Sequence, residues 1–589
     1  MPKGMIHDIM IRRPDKTACE GAAGLWADGW WKYIFVDGWR KEMKKKVVIS
    51  AAVIILAGAA IVGAVQWKRL QDRKKEQAVS GNLGQDCTVE EVLHETKKIY
   101  TDEYQAEADS QIAGWKEEET YSVESPLLVW NPYGTNTGAV YYYARTETKS
   151  YVICEITPER GTVLKNRLKN DSPDGLTTEH EYLVTGLAAG QLNRIKLSFY
   201  NESDQLLQEK TYTVKLKADE EIPDIINVEK GESTEELTEG LFAVLGHDKS
   251  TAKNIYYYDN DGVSRGRTPL NKYRTDRILT IDGNMVYSYT LSDIAVVNRL
   301  GKVIKRINLG KYKLHHDFMY DENKKLLLCL VNDGDKDTIE DVLISVNPET
   351  GEVKNLIDFE VLLQDMRDIS VQRKGGKNTY GGTELDWLHL NSLDMINEKD
   401  AVFSSREESA IIKINNIYDK PSIDYLIHKG SLYKGTKYQK LLLKAEGTVV
   451  GPAGQHTITV EHDESLKKNQ YYLFFYDNNF GSAKTLPDFD WSLYPGVGTY
   501  REGSASYFTK LLVDEDTRTY KMVQQFEVPY SSVVSGVNYF NGNITFSSGM
   551  DHSYGEYDKD GNMICTYTYE AERYAYRVIK YDFKDIFYQ

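Results

Sequence analysis

Three short windows in the second half of the chain carry side chains suited to gripping an oxyanion. They are Leu314-His315-His316-Asp317-Phe318, His389-Leu390-Asn391-Ser392-Leu393 and Gly454-Gln455-His456-Thr457-Ile458. Aligned at their centres, each places His or Asn first, then Asp, Ser or Thr, then a large apolar residue. Each is followed by an apolar run, Leu326–Leu330, Ala401–Phe403 and Tyr471–Phe475. A structural unit therefore recurs with its polar tip held constant. Side chains two apart share one face of a strand, so His389 and Asn391 are expected to point the same way. Matching the windows puts His316 and His456 on the equivalent face and His315 on the opposite one. Arg406, in Ser404-Ser405-Arg406, closes the strand after the second window.

Three imidazoles, one amide and one guanidinium make a donor-rich, cationic pocket for a tetrahedral oxyanion such as sulfate or phosphate. Arginine adds a planar fork for bidentate recognition. Neutral histidine can serve as nucleophile or as general acid and base near pH 7. A zinc site with three histidine ligands is the rival reading; Arg406 weighs against it, because a fixed cation beside a dication is unfavourable. His315 is expected at the surface or behind the pocket wall. His428, His462 and His552 have no matching window and read as solvated or structural.

Such a site needs a scaffold that brings separate strands to one axis. From about Leu237 onward, apolar runs end repeatedly in Asp or Asn, usually with Gly shortly after. The instances are at Asp259, Asn298, Asn347, Asn415, Asp477 and Asp558. These are tight-turn residues, and six strand–turn–strand units leave little room for helices. Radial repetition protects the edges of many short strands, so residues 237–589 are expected to form a six-bladed β-propeller. The uneven spacing implies long loops, where binding sites are built.

Ahead of it, residues 120–217 show period-two strands between turn residues and predict a small β-sandwich. Within it, Glu181–Leu187 resembles a strand-and-corner segment of fibronectin type III-like domains. The acidic stretch 218–236 reads as a linker, and 68–119 as a polar stalk or docking helix. Residues 47–67 carry no charge, and a spanning helix needs about 20 residues, so this stretch is expected to be an uncleaved transmembrane anchor. Basic residues flank it equally on both sides and leave its orientation undecided. Residues 1–46 form an N-terminal extension in which Met43, followed by Lys44-Lys45-Lys46, is the expected natural start. The fold class is therefore all-β behind a membrane helix.

Length and charge bound the function. A chain of 589 residues admits two to four domains, and a net charge of −16 argues against a nucleic-acid partner. The five cysteines form neither a CxxC pair nor a dense framework. No Gly-rich phosphate loop ends in Lys-Ser/Thr, and the Cys-x-Pro-x-Arg pattern of formylglycine sulfatases is absent. No cofactor and no metal are expected.

The order His315-His316-Asp317-Phe318, Asp386-Trp387-Leu388-His389-Leu390-Asn391-Ser392, Ser404-Ser405-Arg406, Gly454-Gln455-His456-Thr457 and a late Asp477-Asn478 resembles the motifs of bacterial aryl-sulfate sulfotransferases. The likeness spans roughly residues 120–589 and implies the same sandwich-plus-propeller order. It implies sulfuryl transfer from an aryl sulfate donor to a phenolic acceptor, without phosphoadenosine phosphosulfate. His456 would be the nucleophile that carries a sulfohistidine. His316, His389, Asn391 and Arg406 would bind the sulfuryl oxygens, with His316 or His389 as general acid and His315, Asp317 and Asp386 behind them. The resemblance further implies an extracytoplasmic catalytic domain, here on a single-pass cell-membrane anchor, and a homodimer. Two other readings stay open: a tethered propeller that binds anionic or aromatic ligands without chemistry, and a hydrolase that hands the group to water.

Overall fold

Unpaired strand edges are a liability in water, and the apolar runs of this chain resolve it in six antiparallel blades arranged as a closed ring. The computed structural model describes residues 89–589 apart from 93–97, 248–253, 272–273, 379, 482, 491–504 and 572–573. All of these belong to the second of two compact units, Gly84–Gln589. The expected extension at 1–46 and anchor at 47–67 lie outside the described residues. Among the described residues no helix is long and apolar enough to cross a membrane.

Blades 2, 3 and 4 are consecutive four-stranded meanders over 279–308, 312–358 and 390–427. Blade 5 spans 456–528 and gains the short parallel strand Lys444–Glu446. The ring closes from both ends of the chain. Ala575–Tyr581 pairs with Leu241–His247 and becomes the innermost strand of blade 1. Ile225–Lys230 pairs with Met563–Tyr569 and becomes the outermost strand of blade 6. The expected linker at 218–236 is thus corrected, because it contains a blade strand and the propeller begins before residue 237. That strand is exposed almost throughout. The charge that reads as a linker lies on either side of it, in Asp219-Glu220-Glu221 and Glu235-Glu236.

The turn markers are informative in the same way. Four of them, at Asp259, Asn298, Asn347 and Asn415, sit at the turn before the outermost strand of a blade, and Asp558 sits in the hairpin before the fourth strand of blade 6, which Ile225–Lys230 then covers. Asp477 does not: it ends the second strand of blade 5, at the end where the innermost strand begins with His456.

Residues 120–217 contribute six strands, built around one twenty-residue strand, Ala139–Pro158, and Glu90–Glu91 adds a seventh beside Leu127–Trp130. Its first half pairs with Leu127–Trp130 and Thr177–Thr185, its second half with Leu164–Arg167 and Leu192–Tyr200. The helix Asp102–Glu118 starts at Thr101, whose hydroxyl accepts from the Tyr104 amide, with Asp102 and Glu103 in the favourable first turn. It does not stand off as a stalk. Tyr104, Ala108 and Ile112 are buried in a core shared with blades 1 and 2, and Gln105 accepts from the Val303 amide at 3.0 Å. The fully buried Arg265 bonds Asp259 and reaches the carbonyls of Gly186 and Thr162, tying this region to blade 1.

Ring closure has its own buried ion pair. Lys580, on the innermost strand of blade 1, meets Glu556 of blade 6, both with wholly buried side chains. Its ammonium also donates to Thr238 O at 2.6 Å and Asn260 Oδ1 at 2.7 Å. Removing one partner of a buried pair costs about 3–5 kcal/mol. Lys580→Met should lower the unfolding free energy measured by urea titration by that amount, and adding Glu556→Leu should recover part of it.

Candidate active site

The first window lies within the innermost strand of blade 3, Tyr312–Asp321, the other two open those of blades 4 and 5, and each carries an irregularity. Pairing register shifts between Leu314 and Phe318, between Leu390 and Ser392, and between His456 and Thr459. His316, His389 and Thr457 take φ values of 59°, 53° and 57°. Such left-handed backbone costs a non-glycine residue about 1–3 kcal/mol, and a bulge re-aims the side chain it carries. Period-two counting therefore fails here. His389 faces a central cavity, whereas Asn391 is fully buried and donates to the Gln455 carbonyl at 2.7 Å. The expectation that Asn391 shares the face of His389 is corrected: Asn391 does not line the cavity but holds the backbone beside His456.

The middle residues of the windows stitch blade to blade. Ser392 Oγ accepts from Ile458 N at 2.8 Å, and Thr457 Oγ1 accepts from Val537 N at 3.1 Å. Asp317 accepts from Arg277 and Arg577, each at 3.1 Å, joining blade 3 to the chain before blade 2 and to blade 1. The repeated polar tip thus serves architecture as well as chemistry.

The cavity holds about 230 Å³ and is lined by His316, His389, Arg406 and His456 together with Glu340, Arg373, Tyr380, Tyr576 and others. His456 is the best defined. Its Nδ1 lies 3.0 Å from Gly454 O and 2.7 Å from Asn478 Oδ1. The Asn478 amide is oriented by donation to Ser531 O and Ser535 Oγ. Both neighbours of Nδ1 are acceptors, so Nδ1 carries the proton and Nε2 keeps its lone pair. Burial, with the charges of Arg406, His389 and Arg577, pulls the imidazole down to about 3, against the Asn478 hydrogen bond, so the ring is neutral.

The loop bearing His456 is fixed without a disulfide; Cys154, Cys329 and Cys565 are free and buried. Gln455 Nε2 donates to Ser404 Oγ, Ser405 O and Ala410 O. Gly454 N donates to Ser409 Oγ. A Cβ at Gly454, where φ is +62°, would sit 2.8 Å from Phe480 O, so the Gly-Gln-His sequence needs its glycine. Asp477 accepts from the Ala453 and Asn479 amides, and burial pushes its carboxyl up to about 7.

His389 is the opposite case. Its Nδ1 is 3.0 Å from both oxygens of Asp386 and 2.5 Å from Glu340 Oε2. Burial pulls its pKa down, but the two carboxylates outweigh that and hold it up at about 9, so the ring is an imidazolium. Asp386 is held at about 2 against burial, by His389 and by Arg373 and Arg406. His316 packs against the His389 ring with centroids 4.7 Å apart, and burial and the His389 charge keep His316 neutral. His315 is buried rather than at the surface, with Nδ1 3.0 Å from that of His316. Arg406 sits 3.4 Å from the buried Glu407, and its amide donates to His389 O. His428 is buried on the Ser409 carbonyl and His462 bonds Ile396 O; neither lines the cavity.

By spacing alone, His315, His316 and Glu340, or Glu340, Asp386 and His389, bring donor atoms within 4.8 Å of one another, as a cation would need. The imidazolium of His389 and the guanidinium of Arg373 already answer these carboxylates' charge. Sequence reading missed Glu340, Arg373, Tyr380 and Tyr576. The first three come from irregular connections without periodicity, and Tyr576 from the closing strand.

No curated protein matches the chain by sequence. Solved structures with a related course include a candidate 6-phosphogluconolactonase from Bacteroides fragilis NCTC 9343, at 11% identity over 74% of this chain and 99% of that one, TM-score 0.33. An auxiliary nutrient binding protein from Bacteroides thetaiotaomicron VPI-5482 aligns at 8% identity over 77% and 93%, TM-score 0.29. BamB from Moraxella catarrhalis aligns at 8% over 62% and 98%, TM-score 0.28. Similarity at this level carries no argument about function. The family model for arylsulfotransferases (ASST) matches residues 227–585, more than half of the chain and all but the first two residues of the ring of blades, and this chain belongs to that family.

Proposed function

We propose that the chain transfers a sulfuryl group from an aryl sulfate to a phenol by a ping-pong route through His456. The observation that carries this reading is the neutral His456 ring, pinned at Nδ1 and bordering a cavity shared with His389, His316 and Arg406. In the first half-reaction the Nε2 lone pair attacks sulfur and the bond from sulfur to the aryl oxygen breaks. The departing phenoxide takes the Nε2 proton of His389. The positive charge left on the sulfurylated ring is met by Asn478 Oδ1 and Gly454 O at Nδ1–H. In the second, an acceptor phenol returns its proton to His389 and its oxygen attacks sulfur, and the electron pair of the broken bond goes back to His456 Nε2. Arg406 and His316 meet charge that spreads over the sulfuryl oxygens, where fixed donors act most strongly. A cavity of about 230 Å³ suits a sulfuryl group with one aromatic ring better than a nucleotide, which supports independence from phosphoadenosine phosphosulfate. The uncharged 47–67 stretch supports a membrane tether, and the family resemblance, not the stretch itself, is the ground for a catalytic unit outside the cytoplasm.

Incubation with 4-nitrophenyl sulfate should release nitrophenolate only when a phenol acceptor is added. Equal release without phenol marks a hydrolase, and none at all marks a binding protein. His456→Ala should abolish release and His462→Ala should not. Arg406→Ala should cost ~10²–10³ in rate. Acid-quench mass spectrometry without acceptor should find the sulfuryl adduct on the peptide bearing His456.

The pH profile has a definite sign. His456 is neutral at any pH above about 3, so it sets no limb near neutrality. His389 loses its proton only as pH rises through about 9. Turnover of donors with basic leaving groups should therefore hold through neutral pH and fall above 9, as measured by kcat/KM for phenyl sulfate.

A further inference from the structure

Glu340 is the buried acid that the sequence did not mark. It lies in the connection between the second and third strands of blade 3, at φ 62°. Its backbone is clamped: the amide donates to Asn332 Oδ1 at 2.7 Å, and the carbonyl accepts the amide of Leu390, the residue after His389. Its carboxyl is aimed at the histidine pair. Oε1 accepts from the Tyr380 hydroxyl at 2.7 Å and stands 3.6 Å from His316 Nδ1. Oε2 stands 2.5 Å from His389 Nδ1, yet has no aligned donor. The single N–H at that nitrogen is directed to Asp386. Two carboxylates thus compete for one proton, with Arg373 on the side of Asp386.

We propose that Glu340 is a positioning residue that, with Asp386, sets the proton affinity of His389 and so fits it to give its Nε2 proton to a poor leaving group. The proposal rests on the reading of His389 as the acid of the transfer reaction. The proton account is closed. The Nε2 proton goes to the departing phenoxide, the Nδ1 proton stays between the ring and the two carboxyls, and the acceptor phenol restores Nε2–H. The groups facing this cluster are His389, His316, His315 and Tyr380, then Asp386 with Arg373, and Arg274, Arg406 and His456 around the cavity. Like-charged neighbours divide their pKa values: burial and Asp386 push Glu340 up, while Asp386 stays ionised.

The test is Glu340→Gln in the full chain, with two donors compared across pH. Phenyl sulfate leaves as a basic phenoxide and needs the acid; 4-nitrophenyl sulfate does not. The variant should move the alkaline limb for phenyl sulfate down by about one pH unit or more, roughly a fivefold loss or more at pH 9, and leave 4-nitrophenyl sulfate within about threefold. Equal losses for both donors at every pH would mean that Glu340 only supports the fold, and overturn the proposal.

A second readout needs no turnover. In ¹⁵N-histidine-labelled protein, the resonance lost in His389→Gln identifies His389. Its titration should fall by about one unit or more in Glu340→Gln. An unchanged titration overturns the proposal even if sulfuryl transfer is intact, and a shifted one upholds it even if transfer is never found. Tyr380→Phe, which removes one hydrogen bond to Glu340 at a half-exposed residue, leaves that carboxylate a stronger partner and should shift His389 slightly upward, whereas no shift would overturn the proposal. It serves as the test should Glu340→Gln not fold.

Discussion

A regular strand at the heart of a propeller alternates its side chains, so half of them point away from any one face. In this chain the innermost strands of blades 3, 4 and 5 break that rule, blade 3 in mid-strand and blades 4 and 5 at the start, where bulges and left-handed backbone swing imidazoles toward the axis. The distortion is held by the buried contacts around it. Tyr576 donates to the carbonyl of His316, Arg406 N to that of His389, and Ser392 and Thr457 catch amides of the next blade. Without those contacts the strands would have every reason to relax into ordinary pairing, and the histidines would turn aside. Catalytic geometry and ring assembly are therefore one constraint.

Electrostatics then separates two chemically identical rings. His456 is bordered by amide and carbonyl acceptors and nearby cations, and stays neutral. His389 is bordered by two carboxylates and stays charged. One fold thus provides a nucleophile and an acid from the same residue type, by neighbours alone. The chain is strongly acidic as a whole, yet its central cavity is walled by Arg274, Arg373, Arg406 and Lys484 with Glu340 as its carboxylate.

Much of this was legible in the sequence. The blade count followed from Asp, Asn and Gly in hairpins, because tight turns demand those residues. His316, His389, Arg406 and His456 were found because a repeated window is visible without coordinates. What failed did so for physical reasons. Asn391 was misplaced because a bulge adds a residue that period-two counting does not see. Asp477 was taken for a turn marker, although its carboxylate braces the loop before His456. Ile225–Lys230 was taken for linker because the acidic residues on either side, Asp219-Glu220-Glu221 and Glu235-Glu236, masked a short strand. Glu340 and Tyr380 were invisible because irregular connections carry no period, and only folding brings them to the cavity.

The strand Ala575–Tyr581 follows the other five innermost strands in the chain, and it brings Tyr576 and Arg577 to the site. A ribosome emits it after every other wall of the cavity. Until it threads into blade 1, Asp317 lacks one of its two guanidinium partners and the strained carbonyl of His316 has no hydroxyl. A nascent or truncated polypeptide thus holds all three histidines but no assembled pocket, and competence arrives in a single late event of biosynthesis.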